Sequence, residues 1–399
     1  MWGWDHVNTT ASFTVLDHPL RPFFDELRRF SSTAALEASP LYAQLKPEIV
    51  RVLDGVVQED LTRGPAPARP GIRATAWNIE RGRKLDGVIR ALKEHALLRE
   101  SDLLLLTELD YGMARSGNRN VPREIAGALG LHYAFAPCYV NLSKGSGLED
   151  RAAQDNAQAL HGNAIFSRHP LRDARSIPLP NGKDKMRGKE KRLGSQRAVA
   201  ATMDHPLGPV RVVSVHLDAH STQRHRHRQM RMLLERLDGL QPPMPTLIGG
   251  DWNTSTYNSR RAVYAILGFW RRVFMGVSYV MRNHYAHPDR WFERGMFRDL
   301  EQRGYGYRDL NKPGGCTLHY DVQSLALNTN LGDWIPRWCF KFINWSLREH
   351  QGRCSFKLDW FAGRGVIPAS PPEVLEGLCE TYGPLSDHDP IVLDLLPRP

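Results

Sequence analysis

Hydrophobic positions along the chain follow two different periods. Up to about Leu61 they recur at helical spacing, as in Phe23-Phe24-Asp25-Glu26-Leu27-Arg28-Arg29-Phe30 and Ile49-Val50-Arg51-Val52-Leu53, which predicts amphipathic helices. Pro65, Pro67 and Pro70 then punctuate the chain. Beyond them, short apolar runs alternate with helical stretches. Residues 72–78 alternate as a strand does, 84–98 repeat at helical spacing, and 102–108 read as a buried strand ending in an acid. Further strands are expected at 163–167, 198–203, 210–215, 246–248, 357–362 and 391–395, and Ser221 is placed to cap a helix over 222–237. Mixed strands interspersed with helices predict an α/β layered fold whose loops gather at strand ends.

Composition narrows this only slightly. The chain has 399 residues, 41% of them hydrophobic, enough for a sizeable core in one large or two ordinary domains. A net charge of +10 favours phosphorylated or polyanionic partners, or an anionic surface. Cys138, Cys316, Cys339, Cys354 and Cys379 are scattered and form no Cys-x-x-Cys pair, which argues against a zinc knuckle or a disulfide framework and for reduced thiols. The start, Met1-Trp2-Gly3-Trp4-Asp5-His6, carries no visible secretion signal, so a cytoplasmic location is expected. No window offers the ~20 charge-free apolar residues of a membrane span. The nearest, 262–281, is interrupted by Arg271 and Arg272.

The chemistry concentrates where the strands end. Asn78-Ile79-Glu80, Glu108, His216, Asp251 with Asn253, and Asp387-His388 each follow or precede a strand-like run, and Asp359 lies in one more. Each has an ordinary reading: a solvated strand end, a structural histidine, or a Gly-Asp-x-Asn or Ser-Asp-His turn. Carboxylates, amides and histidines gathered at one end of a layered fold point instead to a catalytic site, since such loops are where catalysis is built. Gly249 and Gly250, just before Asp251, suggest close approach of backbone or substrate.

The ordered set resembles the endonuclease/exonuclease/phosphatase superfamily. The matching segments are Trp77-Asn78-Ile79-Glu80, Leu106-Thr107-Glu108, Gly162-Asn163-Ala164-Ile165-Phe166-Ser167-Arg168, Ser214-Val215-His216-Leu217, Gly250-Asp251-Trp252-Asn253, Leu358-Asp359-Trp360 and Ser386-Asp387-His388. The resemblance implies a four-layer α/β sandwich of two packed mixed β-sheets flanked by helices, with an N-terminal helical extension over 1–70. The catalytic domain would span 71–399, with insertions near 177–195, 256–312 and 320–352. It implies a phosphoesterase using Mg2+ or Mn2+, held by Glu108 with Asn78, Glu80 and Asp387 near it. Asp251 would position or deprotonate the attacking water with help from Asn253. His388, oriented by Asp359, would contact the phosphate, and His216 would be a second phosphate contact or a proton donor to the leaving group. Glu80 departs from the family, where several relatives carry a shorter aspartate.

Substrate choice is expected in the segments that interrupt this core. Asn163, Arg197, and Lys185 and Arg187 of the basic loop are the substrate-binding candidates. Arginines interleave with aromatics in Phe269-Trp270-Arg271-Arg272-Val273-Phe274, with Tyr279, Tyr285, Trp291 and Phe292 following, and again in Asp333-Trp334-Ile335-Pro336-Arg337-Trp338-Cys339-Phe340-Lys341-Phe342-Ile343-Asn344-Trp345. Three readings stay open for them: the core of a helical subdomain, a lid or lipid-facing surface, or a platform that stacks bases. A phosphodiesterase acting on a small-molecule or lipid head-group diester is the leading function. A DNA endonuclease or abasic-site nuclease and a catalytically silent binding module are the alternatives. A zinc site built from His216, His220, His225 and His227 is a rival for the metal.

Overall fold

The computed structural model describes residues 16–67, 69–145, 147, 149–219, 221–254, 262–321 and 337–398, without the side chains of 262, 265 and 337–340. His220, the N-terminal Met1-Trp2-Gly3-Trp4-Asp5-His6 and part of the second aromatic segment, including Trp334 and the side chain of Trp338, lie outside the described residues.

In chain order the strands are β1 (Val57–Asp60), β2 (Ile72–Arg81), β3 (Leu103–Tyr111), β4 (His132–Asn141), β5 (Leu160–Ser167), β6 (Leu171–Pro178), β7 (Arg192–Gly194), β8 (Arg197–His205), β9 (Gly208–Val215), β10 (Thr246–Asp251), β11 (Leu318–Asp321), β12 (Arg353–Phe356), β13 (Asp359–Arg364), β14 (Val366–Pro368), β15 (Glu373–Val374) and β16 (Ile391–Pro397). Among the described residues, the first sheet runs β1-β4-β5-β3-β2-β16-β14, with β7 on β4 and β15 on β16. The second runs β13-β10-β9-β8-β6. Both are mixed: β2 is parallel to β3 and β9 to β10, among otherwise antiparallel neighbours. A small third sheet pairs β11 with β12.

Strand periodicity explains the layering. Successive side chains leave a strand on opposite faces. Leu103 and Leu105 face Val199, Val212 and Leu247 of the second sheet, whereas Leu104 and Leu106 face the helices outside. Likewise Val210 and Val212 point between the sheets, and Val213 and Val215 point outward. The outer face of the first sheet is covered by helices 85–94 and 121–129 together with Leu27, Leu36, Ile49 and Val52 of the N-terminal segment. The outer face of the second is covered by Gln223–Asp238 and Arg294–Gln302, through Leu233, Leu234, Phe297 and Leu300. The result is the four-layer sandwich.

Local details correct the sequence reading in three places and bear it out in a fourth. Val57–Asp60 is an edge strand on β4, where helix was expected, so the N-terminal segment is stitched into the first sheet. Thr222, not Ser221, caps helix 223–238 by accepting from His225 N; the Ser221 hydroxyl donates to the Asp218 carbonyl. Glu108 does not end its strand: β3 continues to Tyr111 through a bulge, because Glu108 adopts φ 57°. Gly250 allows the expected close approach of backbone, and Gly249 that of packed side chains. A Cβ on Gly249 would stand 2.7 Å from Leu105 Cδ1, and one on Gly250, at φ 133°, 2.3 Å from the Val215 carbonyl.

Candidate active site

The sheet order gathers one end of six central strands. β2 and β3 deliver Asn78, Glu80 and Glu108, and the turn after β9 delivers His216. β10 ends at Asp251, which pairs in register with Asp359 at the start of the antiparallel β13. Asp387 and His388 immediately precede β16, whose Ile391 pairs with Ala76. Ser214 Oγ donates to the Leu106 carbonyl at 3.0 Å and ties the two sheets together at this end. Of the eight non-glycine residues at positive φ among those described, Glu80, Arg81, Glu108 and Asn253 lie here. Such backbone costs about 1–3 kcal/mol per residue and persists where the surroundings over-determine it.

Asn78 holds two of the acids. Its Nδ2 donates to Glu108 Oε1 at 3.2 Å and to Asp251 Oδ2 at 3.0 Å, while its Oδ1 accepts from Glu80 N at 3.0 Å. The Glu80 carboxylate accepts from Arg83 Nη1 at 2.8 Å. Burial, then the charge of Asp387, pushes the Glu80 carboxyl up to about 7. Burial raises Asp387 as well, against the pull of His388 and with the push of Glu108. Burial also works against ionised Glu108, but His216 and then Arg81 outweigh it and hold that carboxyl below its usual range. Arg81 Nε is 3.8 Å from Glu108 Oε2, and its guanidinium also pairs with Glu149. Behind it, buried Arg115 pairs with Asp110 at 2.8 Å and with Glu190 at 2.9 Å.

His388 is set from three sides. Its Nδ1 pairs with Asp359 Oδ2 at 2.7 Å, its amide donates to Ser386 Oγ, and its carbonyl accepts from Trp77 Nε1 at 2.8 Å. Ser386 Oγ itself donates to the Asn78 carbonyl, so the β2 and β16 ends are locked together. Thr317 Oγ1 donates to the same Asp359 oxygen at 2.7 Å and accepts from Asp359 N at 3.1 Å. Burial alone would lower the His388 imidazolium; Asp359 and Asp251 raise it well above the ordinary histidine value.

Asp251 is the meeting point. Its Oδ1 accepts from Asn253 N at 2.9 Å, and Asn253 Nδ2 donates to the Leu217 carbonyl, which fixes the turn. Its Oδ2 lies 3.0 Å from Asn78 Nδ2, 3.5 Å from His216 Nε2 and 3.8 Å from His388 Nε2. Burial, opposed by His388, pushes the Asp251 carboxyl up to about 6.

Two donor sets can be tested for a cation. Glu80 and Glu108 are half-buried carboxylates beside the more exposed Asp387; Asp387 and Glu108 push Glu80 up, Glu108 pushes Asp387 up, and a magnesium-class ion prefers such hard oxygen ligands. They fit. Asp251, Asp359 and His388 also bring ligand-type atoms within 4.8 Å of one another. There, the short His388–Asp359 bond and the Thr317 hydroxyl already occupy Asp359 Oδ2, so the set reads as an oriented histidine. Among the described residues the zinc alternative does not assemble: His225 Nε2 contacts the Pro180 carbonyl at 3.0 Å, and His227 Nε2 pairs with Asp299 at 3.1 Å.

The four substrate-binding candidates do not converge. Asn163 Nδ2 donates to the Arg197 carbonyl at 2.7 Å and braces two strands. Arg197 turns to Asp54 at 2.8 Å and to Ser176 Oγ at 3.2 Å, anchoring the N-terminal helix. Arg187 is exposed and pairs with Asp184. Lys185 is closest in kind to a site residue: it lies 3.6 Å from Asp218, two residues beyond His216, and burial lowers its ammonium. Arg81, Thr317, Ser386 and Tyr320 are the residues that sequence reasoning missed. Arg81 carries the signal of a cation directly after Asn78-Ile79-Glu80, and Ser386 stands in a segment already singled out. Burial, then the charges of Asp387, Glu108, Glu80 and Asp251, raises the Tyr320 phenol, and no pattern in the chain marked it.

A family model described as Endonuclease/Exonuclease/phosphatase family matches residues 75–340. No curated protein matches the chain. Among solved structures, the chain is similar to an endonuclease/exonuclease/phosphatase from Beutenbergia cavernae DSM 12333, at 17% identity over 83% of this chain and 72% of that one, with a TM-score of 0.49. It is similar to the 3' phosphatase NExo from Neisseria, at 15% identity over 81% and 98%, TM-score 0.45. It is also similar to the human Nocturnin catalytic domain, at 16% identity over 86% and 97%, TM-score 0.42.

Proposed function

The chain belongs to the endonuclease/exonuclease/phosphatase family of phosphoric ester hydrolases, and on that premise we propose that it is a Mg2+- or Mn2+-dependent phosphodiesterase acting on a small-molecule or lipid head-group diester. The observation that carries this reading is the position of Asp251 Oδ2 between Asn78, His216 and His388. A divalent ion supplies charge neutralisation at the phosphate and acidifies bound water. Glu108, Glu80 and Asp387 would hold it, and Asn78, through its bond to Glu108, orients one of these carboxylates.

The chain's own groups account for the proton movements. Asp251, ionised above about pH 6, takes a proton from the attacking water, with Asn253 holding its other oxygen. The imidazolium of His388, kept charged by Asp359, donates to a non-bridging phosphate oxygen. His216 delivers a proton to the departing alkoxide. Water adds to phosphorus, the ester P–O bond breaks, and a phosphomonoester and an alcohol leave. The ten exposed apolar side chains in the insertions beside the site favour a small or lipid-borne ester over duplex DNA.

A substrate panel with Mg2+ and Mn2+ tests this reading: bis-aryl phosphodiesters, monoesters, triesters, sphingomyelin-type lipids and abasic DNA. Diester turnover that exceeds turnover of monoesters and triesters is expected. Preferential cleavage of abasic DNA that collapses with salt would replace the small-molecule or lipid preference with a nuclease.

A further inference from the structure

Twelve large hydrophobic side chains are exposed among the described residues, and ten of them fall between 263 and 345: Val263, Tyr264, Ile266, Leu267, Phe274, Met275, Tyr279, Trp291, Phe342 and Trp345. Val263 is 62% exposed, Leu267 61% and Phe274 84%. Val263, Leu267 and Phe274 recur at helical spacing along Ala262–Met275 and so share one face. A contiguous exposed apolar face of this kind marks a surface that is covered in function.

The exposed charges around it are predominantly positive. In 262–292 and 341–350, Arg271, Arg282, Arg290, Lys341 and Arg348 are exposed, whereas Glu349 is the single exposed acid among the described residues. Exposed aromatic and aliphatic side chains with interspersed cations are the chemistry of a helix lying in an anionic bilayer interface. A base-stacking platform would need rings lining a groove beside the site. Here Trp270 instead packs edge-on against Phe342 at 5.9 Å, helix against helix, and the aliphatic Val263, Ile266 and Leu267 dominate the free face.

This face is mechanically continuous with the site. Arg272 on the same helix donates to Tyr285 Oη at 2.7 Å. Tyr285 packs on Phe356 of β12 at 4.4 Å, and Phe356 on Tyr320 of β11 at 6.1 Å. β11 is bridged to the catalytic loop through Leu318 and His388, directly after Thr317, which holds Asp359. The aromatic insertion is therefore a platform bolted to the rim of the acid cluster.

We infer that the exposed face of helix 262–275, with Phe342 and Trp345, docks on an anionic phospholipid surface and presents the site to phosphate esters borne on that surface. The meaning of this docking for substrate choice rests on the phosphodiesterase reading above. The test is co-sedimentation of the full chain with vesicles of phosphatidylcholine containing 30 mol% phosphatidylserine, beside vesicles of phosphatidylcholine alone. Binding to the anionic vesicles, weakened by salt, is expected. The double substitution Leu267→Asp/Phe274→Asp should lower it about tenfold or more, since each buried apolar side chain contributes at least about a tenfold effect. Arg271→Glu/Lys341→Glu, a surface change compatible with folding, should lower binding to anionic vesicles several-fold. Both variants should hydrolyse a soluble bis-aryl phosphodiester at the wild-type rate. Wild-type chain that stays in the supernatant, variants that pellet as wild type does, or a wild-type dimer in sedimentation velocity that the double substitution dissolves would each overturn the inference. Vesicle binding without any diester turnover would leave the docking standing and remove the phosphodiesterase reading.

Discussion

The acid cluster and the insertion beside it invert the usual rule of burial in opposite ways. At the strand ends, ionisable Asp251, Asp359 and His388 are withdrawn from water, and the cost shows as displaced protonation and as backbone at positive φ. On helix 262–275, apolar Val263, Leu267 and Phe274 are left in water. Neither arrangement follows from stability. A buried polar cluster and an exposed apolar patch are the informative departures from ordinary packing. On the proposed function, the first would be repaid by chemistry on an anionic ester and the second by contact with something outside the chain. On that reading, catalysis would reside in the sandwich and placement of substrate in the insertion. Substitutions should therefore separate the two.

The largest separation should come from His388→Ala and Asp251→Asn. Each should lower kcat on a soluble diester by about 10²–10⁴-fold while leaving vesicle sedimentation unchanged; steady-state kinetics beside sedimentation reads both. Next, Glu108→Gln should raise the Mg2+ concentration needed for half-maximal activity by about tenfold or more, since ligand and near-ligand changes typically cost 10–100-fold, and an unchanged metal titration would remove Glu108 from the ligand set.

The third test uses pH. Burial holds Glu80 near 7 and Asp251 near 6, above the ordinary carboxylate values, so the folded state keeps protons that the unfolded chain releases. That contribution to stability is full below about pH 4 and is lost as pH rises to 6–7. Without metal, the melting temperature should therefore fall across this window. Mg2+ should restore it by a few degrees at pH 8 and by less at pH 5, read by calorimetry. In the same window kcat/KM should rise with pH as Asp251 ionises. The fourth test is Thr317→Val, which removes one hydroxyl from Asp359 and should cost about tenfold in kcat with KM unchanged. Smallest of all, Arg197→Ala should leave kinetics unchanged and lower stability by about 1 kcal/mol through the loss of its contacts with Asp54 and Ser176.

How much of this was legible in the chain follows from what kind of pattern each part leaves. The layered fold was readable because alternation in 72–78 and 210–215 encodes two-sided burial directly. That these residues would come together was readable because Asn78, Glu108, His216, Asp251, Asp359 and His388 each adjoin an apolar run. Val57–Asp60 misled because a four-residue edge strand with one apolar residue, Val57, carries no alternation. Arg197 misled because a cation near a strand start does not reveal which way its strand faces. Thr317 and Tyr320 were hidden for another reason. Their contacts with Asp359 and with the acids arise only when β11 pairs beside His388, a juxtaposition that no local spacing records.

The most direct test of the central claim is turnover of a soluble bis-aryl phosphodiester by the full chain, titrated with Mg2+ after chelation, with His388→Ala alongside. Metal-dependent release of one aryl alcohol per diester, reduced by at least about 10²-fold in the substituted chain, is the predicted result. Turnover that is independent of metal, or undiminished by His388→Ala, would contradict it.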